Sequence, residues 1–151
     1  MALPRNKTCS IARSLEVLGQ KWNLLILREV FLGRTRFAEF REIGVPTDVL
    51  TKRLKTLVDD GLLQRRPYQQ AGERARDEYI LTSAGRDLLP ILAALMTWGD
   101  VHRPTGSGPA TLCVDQETDR PVHLAFTDGE TLISDPAQVH MRHNRRVDES
   151  C

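Results

Sequence analysis

Residues 49–66 read VLTKRLKTLVDDGLLQRR, and this stretch combines two kinds of side chain at helical spacing. With 3.6 residues per turn, its apolar positions fall on one side of a helix, and they are Leu50, Leu54, Leu57 and Val58. Lys52 and Thr56 fall on the far side, and Arg53 and Lys55 lie on the flanks. The stretch therefore predicts an amphipathic helix over residues 47–60, which Gly61 ends, with an apolar edge that packs and a cationic edge that projects.

Three shorter apolar patterns precede this helix. Residues 10–18 place Ile11, Leu15 and Leu18 on one face, which predicts a short amphipathic helix. Residues 22–32, WNLLILREVFL, are apolar on most sides and predict the central buried helix. The stretch RTRFAEFREIG then predicts another short helix that carries Phe37 and Phe40.

A basic hairpin and a last helix are predicted after the amphipathic helix. Residues 62–68 and 77–81 have the composition of strands, and QQAGERAR joins them. Thr82 caps a final helix that continues to Trp98, in which Pro90 removes a backbone donor and predicts a kink near Arg86. Helices followed by such a hairpin are the element order of an α+β winged helix-turn-helix domain, in which one helix enters the major groove of DNA and the wing lies beside it.

Composition and charge restrict the class of protein. The chain has 151 residues, 40% hydrophobic, and no apolar run near the ~20 residues that span a bilayer. The N-terminus lacks a signal-peptide pattern and the three cysteines are odd in number, so we expect a cytoplasmic protein with reduced thiols. Residues 1–103 hold 17 basic and 12 acidic residues, whereas residues 104–151 hold 4 and 8. Only the first part is therefore suited to a polyanion.

The composition changes from Pro104 onward, and residues 103–110, RPTGSGPA, have the composition of a linker. We expect a winged-helix domain over residues 9–99, a linker over 100–109 and an acidic extension over 110–151. Within the extension, TLCV and VHLAF around DQETDRP predict a hairpin. Its role is not indicated by the sequence.

Several ordered motifs resemble the HxlR family of bacterial transcription regulators. They are GQKWNLLILREVFLGRTRFAEFREI, VLTKRLKTLVDDGLLQRRPY, EYILTSAGRDLLPIL and the following WG, within residues 9–99. The resemblance implies a homodimeric winged-helix regulator of transcription, a repressor or an activator, which binds double-stranded DNA and is not an enzyme. It also implies that the helix over residues 47–60 enters the major groove and that residues 69–76 form the wing.

Ten side chains on the helices and the wing are the candidate DNA contacts. Lysine and arginine bind phosphates or guanine edges, and hydroxyl groups can bind phosphates or base edges. The ten residues are Arg36, Thr47, Asp48, Thr51, Lys52, Arg53, Lys55, Arg66, Arg74 and Arg76. Pro46 stands where relatives often carry a small hydroxyl residue, so we expect Thr47 to cap the helix. Asp48 suits the helix dipole and repels phosphate, and it could accept from a cytosine amine. On the pattern alone, a plain amphipathic surface helix is the alternative.

The resemblance places a dimer interface on the first and last helices. Its candidate residues are Ile11, Leu15, Leu88, Leu92, Leu95 and Trp98. The final helix is apolar on more faces than one small core needs, and a partner chain would cover the excess. The alternative is a monomer in which the acidic extension folds over this helix.

Cys9 is the candidate sensor of oxidants or electrophiles. It lies at the start of the first helix, downstream of Arg5 and Lys7, and both helix amides and cations favour the reactive thiolate. The resemblance adds that several family members sense such compounds through a cysteine near this position. The alternatives are a cysteine that only packs in the interface, and control by a small molecule bound between the helices of the dimer.

No other chemistry is indicated. His140 and His143 have helical spacing, with His123 and Cys113 elsewhere in the extension, yet no further ligand stands at metal-site spacing, so we expect no metal and no cofactor. The sequence has no glycine-rich phosphate-binding loop, and no serine or cysteine has the base and orienting group that a nucleophile needs. We therefore expect that the protein is not an enzyme. The competing function is a winged-helix module that binds protein instead of DNA.

Overall fold

The computed structural model describes residues 9–142. The helices and strands of the first part are α1 (Ser10–Leu18), α2 (Lys21–Phe31), α3 (Phe37–Arg41), α4 (Thr47–Asp59), β1 (Leu63–Tyr68), β2 (Arg76–Leu81) and α5 (Ser83–Arg86). They are followed by α6 (Leu89–His102), β3 (Phe126–Thr127), β4 (Leu132–Ile133) and a 3₁₀ turn, Pro136–Gln138. The chain forms two compact units that divide between Leu92 and Ala93, within α6.

The core of the first unit forms where α2 meets α4 and the hairpin. Its buried apolar residues are Leu18, Ile26, Leu27, Val30, Phe40, Val45, Leu50, Leu54, Leu57, Leu62, Leu63 and Leu92. The predicted central position of α2 is confirmed, because Ile26 and Leu27 are fully buried. The observed order of helices followed by an antiparallel hairpin confirms the α+β winged helix-turn-helix fold.

The apolar edge of α4 lies in this core. Leu50, Leu54 and Leu57 are at most 1% exposed, and each such burial stabilises the fold by roughly 1.5–3 kcal/mol. Gly61 follows the helix with φ +73°, a left-handed conformation that only glycine adopts without strain. Because the three leucines fix the rotation of α4 about its axis, its basic residues must lie on the side away from the core.

The hairpin of β1 and β2 forms the wing. The strands pair antiparallel from Leu63 opposite Leu81 to Tyr68 opposite Arg76, within one residue of the predicted bounds. The segment before α3 joins the hairpin as a third, very short partner, since the Tyr79 amide donates to the Thr35 carbonyl at 2.7 Å. The wing is thereby attached to α3 as well as to α4.

The last helix was predicted to be a single helix with a kink near Arg86. The structure has two helices there, α5 and α6, which are separated by a turn directly after Arg86. The Gly85 amide donates to the Thr82 hydroxyl at 3.1 Å, which confirms Thr82 as a cap. The break at residues 87–88 allows Pro90 to stand in the first turn of α6, where a missing N–H costs no hydrogen bond. A side chain at Gly85 would place its Cβ 2.2 Å from the Leu62 carbonyl oxygen, so α5 requires glycine there to lie this close to the hairpin.

Two residues expected at the dimer interface take part in the core of the first unit. Leu92 is only 7% exposed and belongs to the core, and Leu88 packs against that core. The two positions share a side of the chain because they are one helical turn apart. The large apolar side chains that α6 exposes are Leu89, Ile91, Leu95, Trp98 and Val101.

The second unit contains two short hairpins. Val114 pairs with Pro121 across the DQETDR turn, and the Val122 amide donates to the Cys113 carbonyl at 2.9 Å, which confirms the predicted hairpin. The pair of β3 and β4 was not predicted. Helix α6 continues to His102, so the first residues of the predicted linker are helical.

Among the described residues, no helix is long and apolar enough to cross a membrane.

Candidate nucleic-acid interface

Helix α4 presents a basic outer face. Lys52 and Lys55 are exposed, Arg53 is half-buried, and the hydroxyl of Thr51 donates to the Thr47 carbonyl at 2.9 Å. Lys55 forms an ion pair with Asp59 one turn later, whereas Lys52 and Arg53 form no ion pair with any acidic residue of the described chain. Two of the three cations on this face are therefore uncompensated.

The start of α4 differs from the expected cap. Pro46 occupies the N-cap position, and Thr47 is the first helical residue, so the expectation that Thr47 caps the helix is wrong. The extended backbone that proline favours (φ −57°, ψ 142°) leads directly into the first turn. Thr47 and Asp48 are both exposed there, and the Asp48 carboxylate lies where the helix dipole favours a negative charge.

The wing adds a second set of exposed cations. Arg74 and Arg76 follow its turn, and within residues 9–142 neither forms an ion pair. Arg65 lies 4.0 Å from Asp77, with both side chains about half exposed. Arg66 donates from Nε to Glu78 Oε1 at 2.7 Å. The predicted residues Arg66, Arg74 and Arg76 thus lie on one hairpin, in different electrostatic surroundings.

Arg36 connects the wing to α3. Its guanidinium carbon lies 4.5 Å from the centre of the Tyr68 ring, a cation–π arrangement. Glu39 Oε2 accepts from the backbone amides of Arg36 and Thr35, each at 2.8 Å, and these hydrogen bonds lower the pKa of Glu39. The carboxylate is therefore ionised at neutral pH and holds the beginning of α3.

An open groove of about 610 Å³ lies between α3 and the wing. Its charged lining residues are Arg36, Arg76, Glu39, Glu73 and Asp77, and its other lining residues are Phe37, Ala38, Tyr68, Gln70 and Tyr79. Because cations and carboxylates are mixed there, the groove does not attract an anion as strongly as the outer face of α4 does.

Glu78, Thr35 and Tyr68 are functional candidates that sequence reasoning missed. Thr35 Oγ1 donates to Glu78 Oε2 at 2.9 Å, 43 residues away in sequence. Only the register of β2 against the segment before α3 brings them together. No spacing pattern in the sequence signals such a contact.

Another acidic residue missed by sequence reasoning is Glu29, 3% exposed at the end of α2. Its carboxylate pairs with Arg28 and, at 3.2 Å, with Arg34, which also lies 3.1 Å from Glu42. These contacts fix the turn between α2 and α3 and leave Arg34 engaged within the protein. Arg34 is therefore a structural cation, in contrast to Lys52.

The remaining candidates lie on α1 and in the extension. Cys9 is the half-buried N-cap residue of α1, and Ile11 and Leu15 are 64% and 44% exposed. Arg5 and Lys7 lie outside the described residues, as do His143 and Cys151. Within residues 9–142 no three histidine, cysteine or acidic side chains are grouped as a metal site would require.

Comparison with known families finds a match that covers most of the first unit and continues beyond it. The HxlR-like helix-turn-helix family matches residues 17–107. An HTH-type transcriptional regulator of Mycobacterium tuberculosis is 48% identical over 101 residues, 66% of this chain and 63% of that protein. The HTH-type transcriptional regulator YybR of Bacillus subtilis is 34% identical over 102 residues, 66% of this chain and 80% of that protein. The chain thus spans less than two thirds of the length of its mycobacterial relative.

Two solved structures extend the comparison to the fold. PA1607, a candidate transcription factor, superposes with a TM-score of 0.76 at 30% identity, over 92% of this chain and 97% of that one. The redox regulator HypR in its reduced form superposes with a TM-score of 0.57 at 34% identity, over 63% of this chain and 94% of that one. The similarity to PA1607 thus reaches well into the second unit, whereas that to HypR covers a smaller part of the chain.

Proposed function

The chain belongs to the HxlR-like helix-turn-helix family, and from this premise we propose that it is a cytoplasmic, sequence-specific DNA-binding regulator of transcription, acting as a homodimeric repressor. The observation that carries the proposal is the division of α4 between a fully buried leucine edge and an outer face with uncompensated cations. A helix held in this way can enter the major groove without leaving the core.

The elements have different tasks in this proposal. Lys52 and Arg53 reach bases or phosphates from α4, and Thr47, Asp48, Thr51 and Lys55 border the contact. The DNA backbone beside this contact is met by four arginines, which are Arg36, Arg66, Arg74 and Arg76. Affinity then comes mostly from phosphate contacts, and sequence preference from the few side chains on α4.

The exposed apolar surfaces of α1 and α6 support the homodimer. Ile11 and Leu15 on α1, and Leu95 and Trp98 on α6, are each 44–64% exposed. A second copy would cover such side chains and present two α4 helices to half-sites roughly 34–36 Å apart. Leu92 is buried in the core and Leu88 is partly buried against it, so they have less area to offer a partner.

Control by thiol modification is supported by the position of Cys9 at the beginning of α1. HypR, similar in structure, is described as a redox regulator. A modification of Cys9, beside the apolar face that carries Ile11, would alter subunit packing and thus the spacing of the two α4 helices. The alternative effector is a small molecule bound between the helices of the dimer.

Salt dependence separates DNA binding from a protein-binding role. Footprinting on the promoter of the gene itself would first locate an operator. Titration of that operator between about 50 and 200 mM salt should then show a steep loss of affinity, because bound cations release counterions from phosphate. A winged-helix module that binds a protein through apolar contacts would be nearly indifferent to salt and would leave no footprint.

A further inference from the structure

Glu78, on β2, connects β1 and the segment before α3 through one carboxylate. Its Oε1 accepts from Arg66 Nε on β1 at 2.7 Å, and its Oε2 accepts from the Thr35 hydroxyl, before α3, at 2.9 Å. Its backbone pairs with Arg36, and the next residue, Tyr79, donates its amide to the Thr35 carbonyl. Side-chain and backbone contacts therefore both attach β2 to the segment before α3.

The two ends of the Arg66–Glu78 pair differ in exposure. The Glu78 side chain is 15% exposed, whereas that of Arg66 is 60% exposed. Arg66 donates to Glu78 from Nε, and within the described part of the chain its two terminal amino groups form no hydrogen bond. By contrast, Lys55–Asp59 and Arg65–Asp77 are exposed at both ends, and such surface pairs contribute little order.

This geometry has a consequence for binding. A free arginine loses side-chain entropy when it binds a phosphate, and a guanidinium already held at Nε loses less. The hydrogen bonds from Arg66 and Thr35 lower the pKa of Glu78, so the carboxylate stays charged at neutral pH. Negative charge near DNA repels phosphate, but the Glu78 carboxylate is mostly covered, whereas the guanidinium that it holds is exposed.

We propose that Glu78 is a positioning residue for DNA binding, which holds Arg66 and the wing in the orientation that places the terminal N–H groups of Arg66 on a phosphate. The assignment rests on the proposed function. The opposing interpretation is that Glu78 merely neutralises Arg66 and lowers affinity. The two interpretations predict opposite signs for removal of the charge.

Glu78→Gln and Asp77→Asn form a matched pair, because each removes one negative charge from adjacent positions of β2. Asp77→Asn should bind the operator as tightly as the wild type or more tightly, since its Arg65 contact is long and exposed. Glu78→Gln should bind about tenfold more weakly, within the range of a lost direct contact, and its salt slope should shrink by about 1, as for Arg66→Ala. The double variant Glu78→Gln/Arg66→Ala should bind no more weakly than Arg66→Ala alone.

Thr35 provides a second test that does not change charge. Thr35→Val removes the hydroxyl that donates to Glu78 and should weaken operator binding and reduce the salt slope in the same direction. Thr35→Ser keeps a hydroxyl and should restore both. A role confined to folding would lower the unfolding temperature in Thr35→Val and leave the salt slope of the folded protein unchanged, which would overturn the assignment.

The outcomes also separate this proposal from the proposed function. If the wild type shows no salt-dependent binding to DNA, the proposed function fails and the assignment of Glu78 fails with it. If the wild type binds but Glu78→Gln binds as tightly as Asp77→Asn, or more tightly, Glu78 only neutralises charge. DNA binding as the function would stand in that case.

Discussion

The guanidinium of Arg36 lies over the ring of Tyr68, 4.5 Å from its centre. The pair links the residue that precedes α3 to the end of the first wing strand. Together with the amide of Tyr79 on the Thr35 carbonyl, it makes the wing continuous with the helical part of the domain. A wing attached in this way keeps its basic residues at a fixed position relative to α4.

The first prediction concerns the outer face of α4. Lys52→Ala should weaken operator binding more than Lys55→Ala, because Lys55 shares its charge with Asp59 whereas Lys52 has no ion-pair partner among the described acidic residues. The expected loss for Lys52 is about 1–3 kcal/mol if it contacts a base. Lys21→Ala, an exposed lysine on α2, is the control, and equal losses at all three lysines would contradict the assignment. Fluorescence anisotropy measures the affinities.

For the wing, Arg74→Ala and Arg76→Ala should weaken binding by similar factors on every DNA sequence. Both side chains are exposed and form no ion pair within residues 9–142, as expected of phosphate contacts. Each change should reduce the salt slope by about 1. The affinities of each variant are measured on the operator and on unrelated DNA. If affinity falls only for DNA that carries one particular operator base, the wing reads sequence and the prediction is wrong.

The dimer is tested at α6. Leu95→Glu should produce monomers at micromolar concentration, because a charged group would replace an apolar one in the proposed interface. Leu132→Glu makes the same change at a leucine that is 74% exposed outside α6, and it should leave the assembly intact. Light scattering gives the mass of each variant. A wild type that is already monomeric would refute the homodimer.

Cys9 is tested by oxidation. Operator binding by the wild type should change on addition of diamide and recover after reduction, whereas Cys9→Ser should not respond. Cys113→Ser removes the half-buried cysteine of the extension and should respond as the wild type does. If the wild type and Cys9→Ser behave alike, Cys9 is not the sensor, and a small-molecule effector becomes the favoured alternative.

The last prediction concerns stability at low pH. The amides of Arg36 and Thr35 lower the pKa of Glu39 below its ordinary value of 4.5. A carboxylate with a lowered folded-state pKa contributes stability above the ordinary value and loses it as the pH falls through the folded value. The free energy of unfolding in urea should therefore decline from about pH 5 to pH 3, and less steeply in Glu39→Gln. Glu16→Gln, at an exposed position of α1, should follow the wild-type curve.

Local sequence determined the elements that carry the proposed function. The leucine spacing of α4, the apolar run of α2 and the basic hairpin predicted their positions to within one or two residues, because periodicity and turn residues act over short distances. The rotation of α4 followed as well, since Leu50, Leu54 and Leu57 had to face the core.

Tertiary structure decided which charges remain available and which apolar residues remain exposed. Lys55 has Asp59 one helical turn later, a pair that local spacing already predicts, whereas Arg66 meets Glu78 only through strand register. Leu92 and Leu95 also look alike in sequence, but Leu92 packs in the core and Leu95 is half exposed. Periodicity specifies which residues share a face. Which neighbour covers that face depends on contacts between segments far apart in the chain, and no local pattern encodes them.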